Sequence, residues 1–139
     1  MRLKTKYFTS FVLVFLLCGL AQNANATHIS KPVFSKSQTE YFIGEKIVLD
    51  GWVNYNHQPT ADVLLDFKVL GPDGAIANQQ SFSSDSHGQF KFKFDTTNLA
   101  PGMYQVTVTS QCLEVHRPIC THKSQTLSIK LKFRSSKTP

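Results

Sequence analysis

Helical periodicity is what this 139-residue chain most conspicuously lacks. No window sets apolar side chains at three- and four-residue spacing behind a capping residue, which argues against a helix bundle and against alternating strands and helices. Long apolar runs are missing as well. The greasiest stretch, Phe11 to Leu20, is about half the roughly twenty residues a helix needs to cross a bilayer. Acidic side chains are scarce, nine Asp and Glu against fifteen Lys and Arg, yet the basic residues do not cluster with aromatic stacking positions or a recognisable motif, so a nucleic-acid partner is not expected. Catalytic signatures are absent too: there is no Gly-x-Ser-x-Gly elbow, no His-Glu-x-x-His pair and no phosphate-cradling glycine loop. The expectation is a protein that is not an enzyme and carries no cofactor.

What the chain does have begins with an address. Arg2, Lys4 and Lys6 precede the apolar segment, and Ala24-Asn25-Ala26 gives the small-x-small pattern that signal peptidase cuts. Residues 1–26 therefore read as a secretory signal peptide, with the mature chain starting at Thr27 and no integral membrane segment left after cleavage. Large Leu17 ahead of Cys18 disfavours a lipid anchor there. Removing the three leader cations lowers the net charge from +6 to +3, a mild value that leaves anionic cell-surface polymers as possible partners. The destination is periplasmic or extracellular. The rest is too short for two cores, so 27–133 is read as one domain and 134–139 as a flexible C-terminal tail.

Loss of Cys18 with the leader leaves an even pair, Cys112 and Cys120, and in an oxidising compartment these are expected to bond. Closing so short a loop stabilises the fold by about 2.5 kcal/mol in the chain-entropy treatment. The competing reading is a zinc or copper site, because Cys112, His116, Cys120 and His122 fall within eleven residues; oxidation favours the disulfide, and no metal ligand set is assigned.

Alternation with a period of two runs through nearly all of the remaining sequence. Ile47, Leu49, Gly51 and Val53 occupy one phase, as do Val63, Leu65, Phe67 and Val69, then Phe90, Phe92 and Phe94 between lysines, then Tyr104, Val106 and Val108, and finally Leu127, Ile129, Leu131 and Phe133. A first edge strand near Pro32 to Ser37 and a weak Gln/Ser-rich one around Ile76 to Phe82 complete the set. Turn chemistry separates them, as in Gly71-Pro72-Asp73-Gly74 and Asp85-Ser86-His87-Gly88. The fold class is all-β, an immunoglobulin-like sandwich of about seven antiparallel strands, because strands with one apolar face each close a core when two layers stack. Lys130, Lys132 and Arg134 are read as edge-strand charges that deter aggregation.

The segment Tyr41-Phe42-Ile43-Gly44-Glu45-Lys46-Ile47-Val48-Leu49-Asp50-Gly51, with Asp85-Ser86-His87-Gly88-Gln89-Phe90 and Leu99-Ala100-Pro101-Gly102-Met103-Tyr104, resembles macroglobulin-type and related bacterial immunoglobulin-like domains over roughly Lys31 to Phe133. In that frame Gly44 and Gly102 serve turns with unusual dihedrals and Gly51 makes room inside a crowded strand. Tyr104 stands where a tyrosine corner returns its hydroxyl to the preceding connection, or where an ordinary core tyrosine sits. The resemblance implies architecture more than activity. Protease trapping is not implied, since the chain has neither the many domains nor the Cys-Gly-Glu-Gln thioester sequence of the large family members.

Few residues remain to carry chemistry. His57 and His87 fall in turns, Asp62 and Asp66 share an outward strand face, and His28 would be second in the mature chain, where amine and imidazole together are a partial copper chelate. Two surfaces stand out for binding. Trp52 falls on the outward phase of its strand, with Val48 in the same row and Leu64 expected beside it. The loop Leu113 to Ile119 displays Val115, His116 and Arg117 between the cysteines, where a disulfide lowers the entropy lost on binding. Function is therefore expected to be that of an exported, non-catalytic interaction module recognising a protein or glycan of the bacterial envelope. The alternatives are a periplasmic hydrolase inhibitor and a copper- or zinc-binding periplasmic protein.

Overall fold

The computed structural model describes residues 27–135; the expected leader lies outside the described residues, as do the last four positions of the expected tail. Among the described residues nine strands form: β1 (His28–Phe34), β2 (Glu40–Phe42), β3 (Lys46–Tyr55), β4 (Gln58–Pro59), β5 (Leu64–Leu70), β6 (Ile76–Ser83), β7 (Gln89–Asp95), β8 (Gly102–Ser110) and β9 (Cys120–Lys132). They make an immunoglobulin-like β-sandwich curled from one continuous path, β4-β3-β1-β9-β8-β5-β6, with β7 added to β3 and β2 to β9. The sandwich is closed on one side by β1 and β9 and open on the other between β6 and β7.

Buried positions on β3, β5, β7 and β8 follow the period-two pattern of the sequence. The three β7 phenylalanines that needed cover receive it from the opposite layer: the Phe67 ring stacks on Phe92 with centroids 4.5 Å apart and meets Phe90 edge-on at 5.3 Å. Phe82 closes the other face of Phe67 at 5.0 Å. Burying side chains of this size contributes about 1.5 to 3 kcal/mol each, so these facing layers hold the fold. Gly51 is what lets β1, β3 and the Phe90 ring coexist, because a Cβ there would sit 2.2 Å from Phe90 Cζ and 2.3 Å from the Val33 carbonyl oxygen. Gly102 combines φ +142° with Pro72 Cγ only 2.5 Å from where its Cβ would be, and Gly44 turns the chain at φ +96°.

The expectations for β9 need correction. β9 is longer than the alternation indicated, starting at Cys120, and it is no edge strand. Its first residues pair in parallel with β1, its middle antiparallel with β8 and its end in parallel with β2, so not every pairing is antiparallel. Its lysines therefore do not guard an edge; Lys132 instead donates to the Glu40 carboxylate at 2.7 Å. The pattern failed there because Thr121 to Thr126 are polar or charged on both phases while the strand crosses from one layer to the other. β2 and β4, with three and two residues, are too short for a periodic signal. Past the end of β9, Arg134 lies 5.2 Å over the Phe42 ring and 3.5 Å from Glu45.

Candidate functional site

Cys112 and Cys120 are bonded, with Cα atoms 6.0 Å apart, at the junction between β8 and β9. The enclosed residues wind into a short 3₁₀ turn, Glu114–Ile119, unexpected from sequence because Pro118 sits inside it. The i to i+3 bond typical of such turns runs from the His116 N–H to the Leu113 carbonyl at 2.9 Å. Leu113 packs against the core and the Thr27 N–H donates to the Ile119 carbonyl at 2.9 Å, so both ends of the turn are tied to the sandwich.

The three side chains singled out in this loop do not act alike. His116 turns inward: its Nδ1 lies 2.8 Å from the Tyr55 hydroxyl at the end of β3, and its ring stacks on His28 of β1 with centroids 4.1 Å apart. Val115 points away and is 79% exposed. Arg117 also projects to solvent, where its guanidinium meets Glu114 at 3.1 Å; an exposed pair of this kind adds little stability and leaves both charges available. Beside the turn an open groove of about 740 Å³ is lined by Leu64, Asp66, Leu113, Glu114, Arg117 and His122. The turn is thus tied to the sandwich with Val115 and Arg117 outward and His116 inward.

Trp52 occupies the outward row of β3 as expected, but it is half-buried, with Val33 of β1 and Gln89 of β7 as its cross-strand neighbours. Together with Asp50 and Lys91 it lines a shallow cleft of about 630 Å³. Leu64 does not join it. Leu64 lies on β5 in the other layer and faces outward there, so the two side chains are on opposite faces of the sandwich. Alternation gives each residue's phase in its own strand; it does not say which layer the strand enters.

The remaining candidates separate. The Cys-His set is not assembled for metal, since both sulfurs are in the disulfide, His116 is turned to Tyr55 and His122 faces solvent. Among the described residues no three His, Cys, Asp or Glu side chains gather as a metal site. Asp66 accepts from Ser81 at 2.6 Å and Gln111 at 2.7 Å, with Asp62 apart from it in the preceding turn. Tyr104 is buried and donates its hydroxyl to the Ala100 carbonyl at 2.7 Å; burial, reinforced by the Asp73 carboxylate, raises its phenol above the ordinary 10.0. Asp85 is held below the ordinary 3.8 by the backbone N–H groups of Gln89 and His87, which makes it the organiser of the β6–β7 turn. Sequence reasoning missed Tyr55 and His28 as loop anchors. The available signal was Tyr55 on the inward phase after Val53, since a buried tyrosine hydroxyl requires a partner.

No family model and no curated protein matches this sequence. Solved structures do match. A tetra-tandem repeat from the extending region of a large adhesion protein superposes with a TM-score of 0.53 at 14% identity, covering 76% of this chain and 24% of that one. The chain thus spans about a quarter of that structure, and the likeness is one of fold. The CARDB domain of a Pyrococcus furiosus protein is similar at 10% identity in two structures: a crystal form with di-metal ions, TM-score 0.44 over 76% of this chain and 87% of that one, and a solution form, TM-score 0.47 over 77% and 95%.

Proposed function

We propose that this chain is an exported, non-catalytic interaction module of the macroglobulin-like or bacterial immunoglobulin-like kind, and that its disulfide-bonded turn engages a protein or glycan of the bacterial envelope. The observation that carries the reading is the division of labour in the loop. A disulfide, two backbone hydrogen bonds and the His116–Tyr55 contact restrain it, while Val115 and Arg117 are left outside. Restraint before binding lowers the ordering entropy that association costs, and arginine is among the side chains enriched where binding energy concentrates. Residues 1–26 supply the route out of the cell in this reading, and the disulfide suits the compartment it leads to.

The test is a double substitution that spares the anchor. V115A with R117A should lower capture of an envelope partner at least tenfold while the melting temperature stays close to that of the parent, because exposed substitutions usually cost less than about 0.5 kcal/mol. Unchanged capture would remove the loop as the binding surface.

A further inference from the structure

The two outer strands on the open side of the sandwich are unlike. β7 presents Lys91 and Lys93, charges that deter another strand from pairing alongside, and β4 is two residues long and ends in Pro59. β6, Ile76-Ala77-Asn78-Gln79-Gln80-Ser81-Phe82-Ser83, is eight residues long with neither a charge nor a proline. It pairs with β5 on one side; among the described residues no strand pairs with its other side, and β7 reaches it through one side-chain bond, from Gln80 Nε2 to the Lys93 carbonyl at 2.9 Å. Backbone N–H and C=O groups along such a side are a template for strand addition.

We propose that β6 is a homotypic interface, through which two copies of this chain pair β6 with β6, antiparallel across a two-fold axis, into one sheet running through both molecules. Charge selects a second copy as the occupant. Self-pairing of β7 about its centre, Phe92, would set Lys91 of each copy against Lys93 of the other, whereas β6 brings together amides and hydroxyls that donate and accept equally. Geometry then selects the register. Side chains paired across antiparallel strands must share a face, so the axis has to pass through a residue and not between two. Gln79 and Ser81 face outward, and their neighbours on β5 are Lys68 and Asp66. With the axis at Gln80, Ser81 of one copy lies opposite Gln79 of the other, and each Asp66 row continues into a Lys68 row. With the axis at Ser81, Asp66 would instead share its row with Asp66. The first register is self-complementary, as an isologous contact must be.

Sedimentation velocity on the secreted chain, from micromolar to hundreds of micromolar, tests the proposal. The expected result is a concentration-dependent doubling of mass. S81K should weaken it at least tenfold, since the new lysine sits beside Asp66 within its own molecule but adds to the Lys68 row of the other copy. K91A, on the β7 edge, should leave it unchanged, and matching melting curves for all three proteins would show that they remain folded. Backbone amide shifts that move with concentration should fall on residues 78–83. A monomer throughout the range, a dimer indifferent to S81K, or shifts confined elsewhere would overturn the proposal.

Discussion

The Tyr55 hydroxyl lies 2.8 Å from His116 Nδ1, joining the last inward residue of β3 to the middle of a turn 61 residues later. Through this contact the sandwich reaches the disulfide loop by side chain as well as by backbone. Removing it separates anchoring from display. H116A is expected to cost about 1 kcal/mol, the usual net value of one neutral hydrogen bond, and to speed amide exchange in residues 113–119, while V115A does neither. Equal exchange in the two variants would show that the histidine does not hold the loop.

Reducing the Cys112–Cys120 bond relaxes the same segment in the unfolded chain. Loop entropy predicts a loss of about 2.5 kcal/mol, read as a lower denaturant midpoint with reductant or in a C112S/C120S protein. A midpoint that does not move would mean that the turn is held by its other contacts alone.

Gly51 supports a prediction from space alone. Its missing Cβ is replaced by the Phe90 ring and the Val33 carbonyl, and the latter is backbone that cannot swing aside. G51A is therefore expected to destabilise by about 1 to 3 kcal/mol or more through overpacking. In a domain of this size each lost kcal/mol lowers the melting temperature by roughly 4 to 8 °C, so the effect is measurable by calorimetry.

Acid should act first at the carboxylates that the fold holds ionised. Asp85 has a folded-state pKa depressed by two backbone N–H donors, and Glu40 by its bond to Lys132. A depressed carboxylate stabilises the fold above its unfolded pKa, and that stabilisation is lost as pH falls through the folded value. The melting temperature should therefore decline below about pH 4, and D85N, which keeps the acceptor oxygen without the charge, should show a shallower decline. Parallel acid limbs for parent and variant would contradict the assignment.

Most of the sandwich was legible in single strands. Ile47 to Val53, Leu65 to Val69 and Phe90 to Phe94 carry their inward phase in apolar residues, and the structure buries those faces. What alternation does not encode is which layer a strand enters. That is why Leu64 was set beside Trp52, why β9 was taken for an edge, and why the buried contact between Ser30 and Ser110, eighty residues apart, had no visible signal. Within the site, the disulfide was readable from cysteine parity. The inward turn of His116 was not, because it depends on a 3₁₀ winding that brings the ring over β1 and β3.

Photo-crosslinking from defined positions in living cells tests the binding surface most directly. A benzophenone side chain at Val115 or Arg117 should trap a discrete envelope component, while the same group at exposed Met103, on the outward row of β8, should not. Adducts from Met103 with none from the loop, or no adduct from any position, would contradict the account.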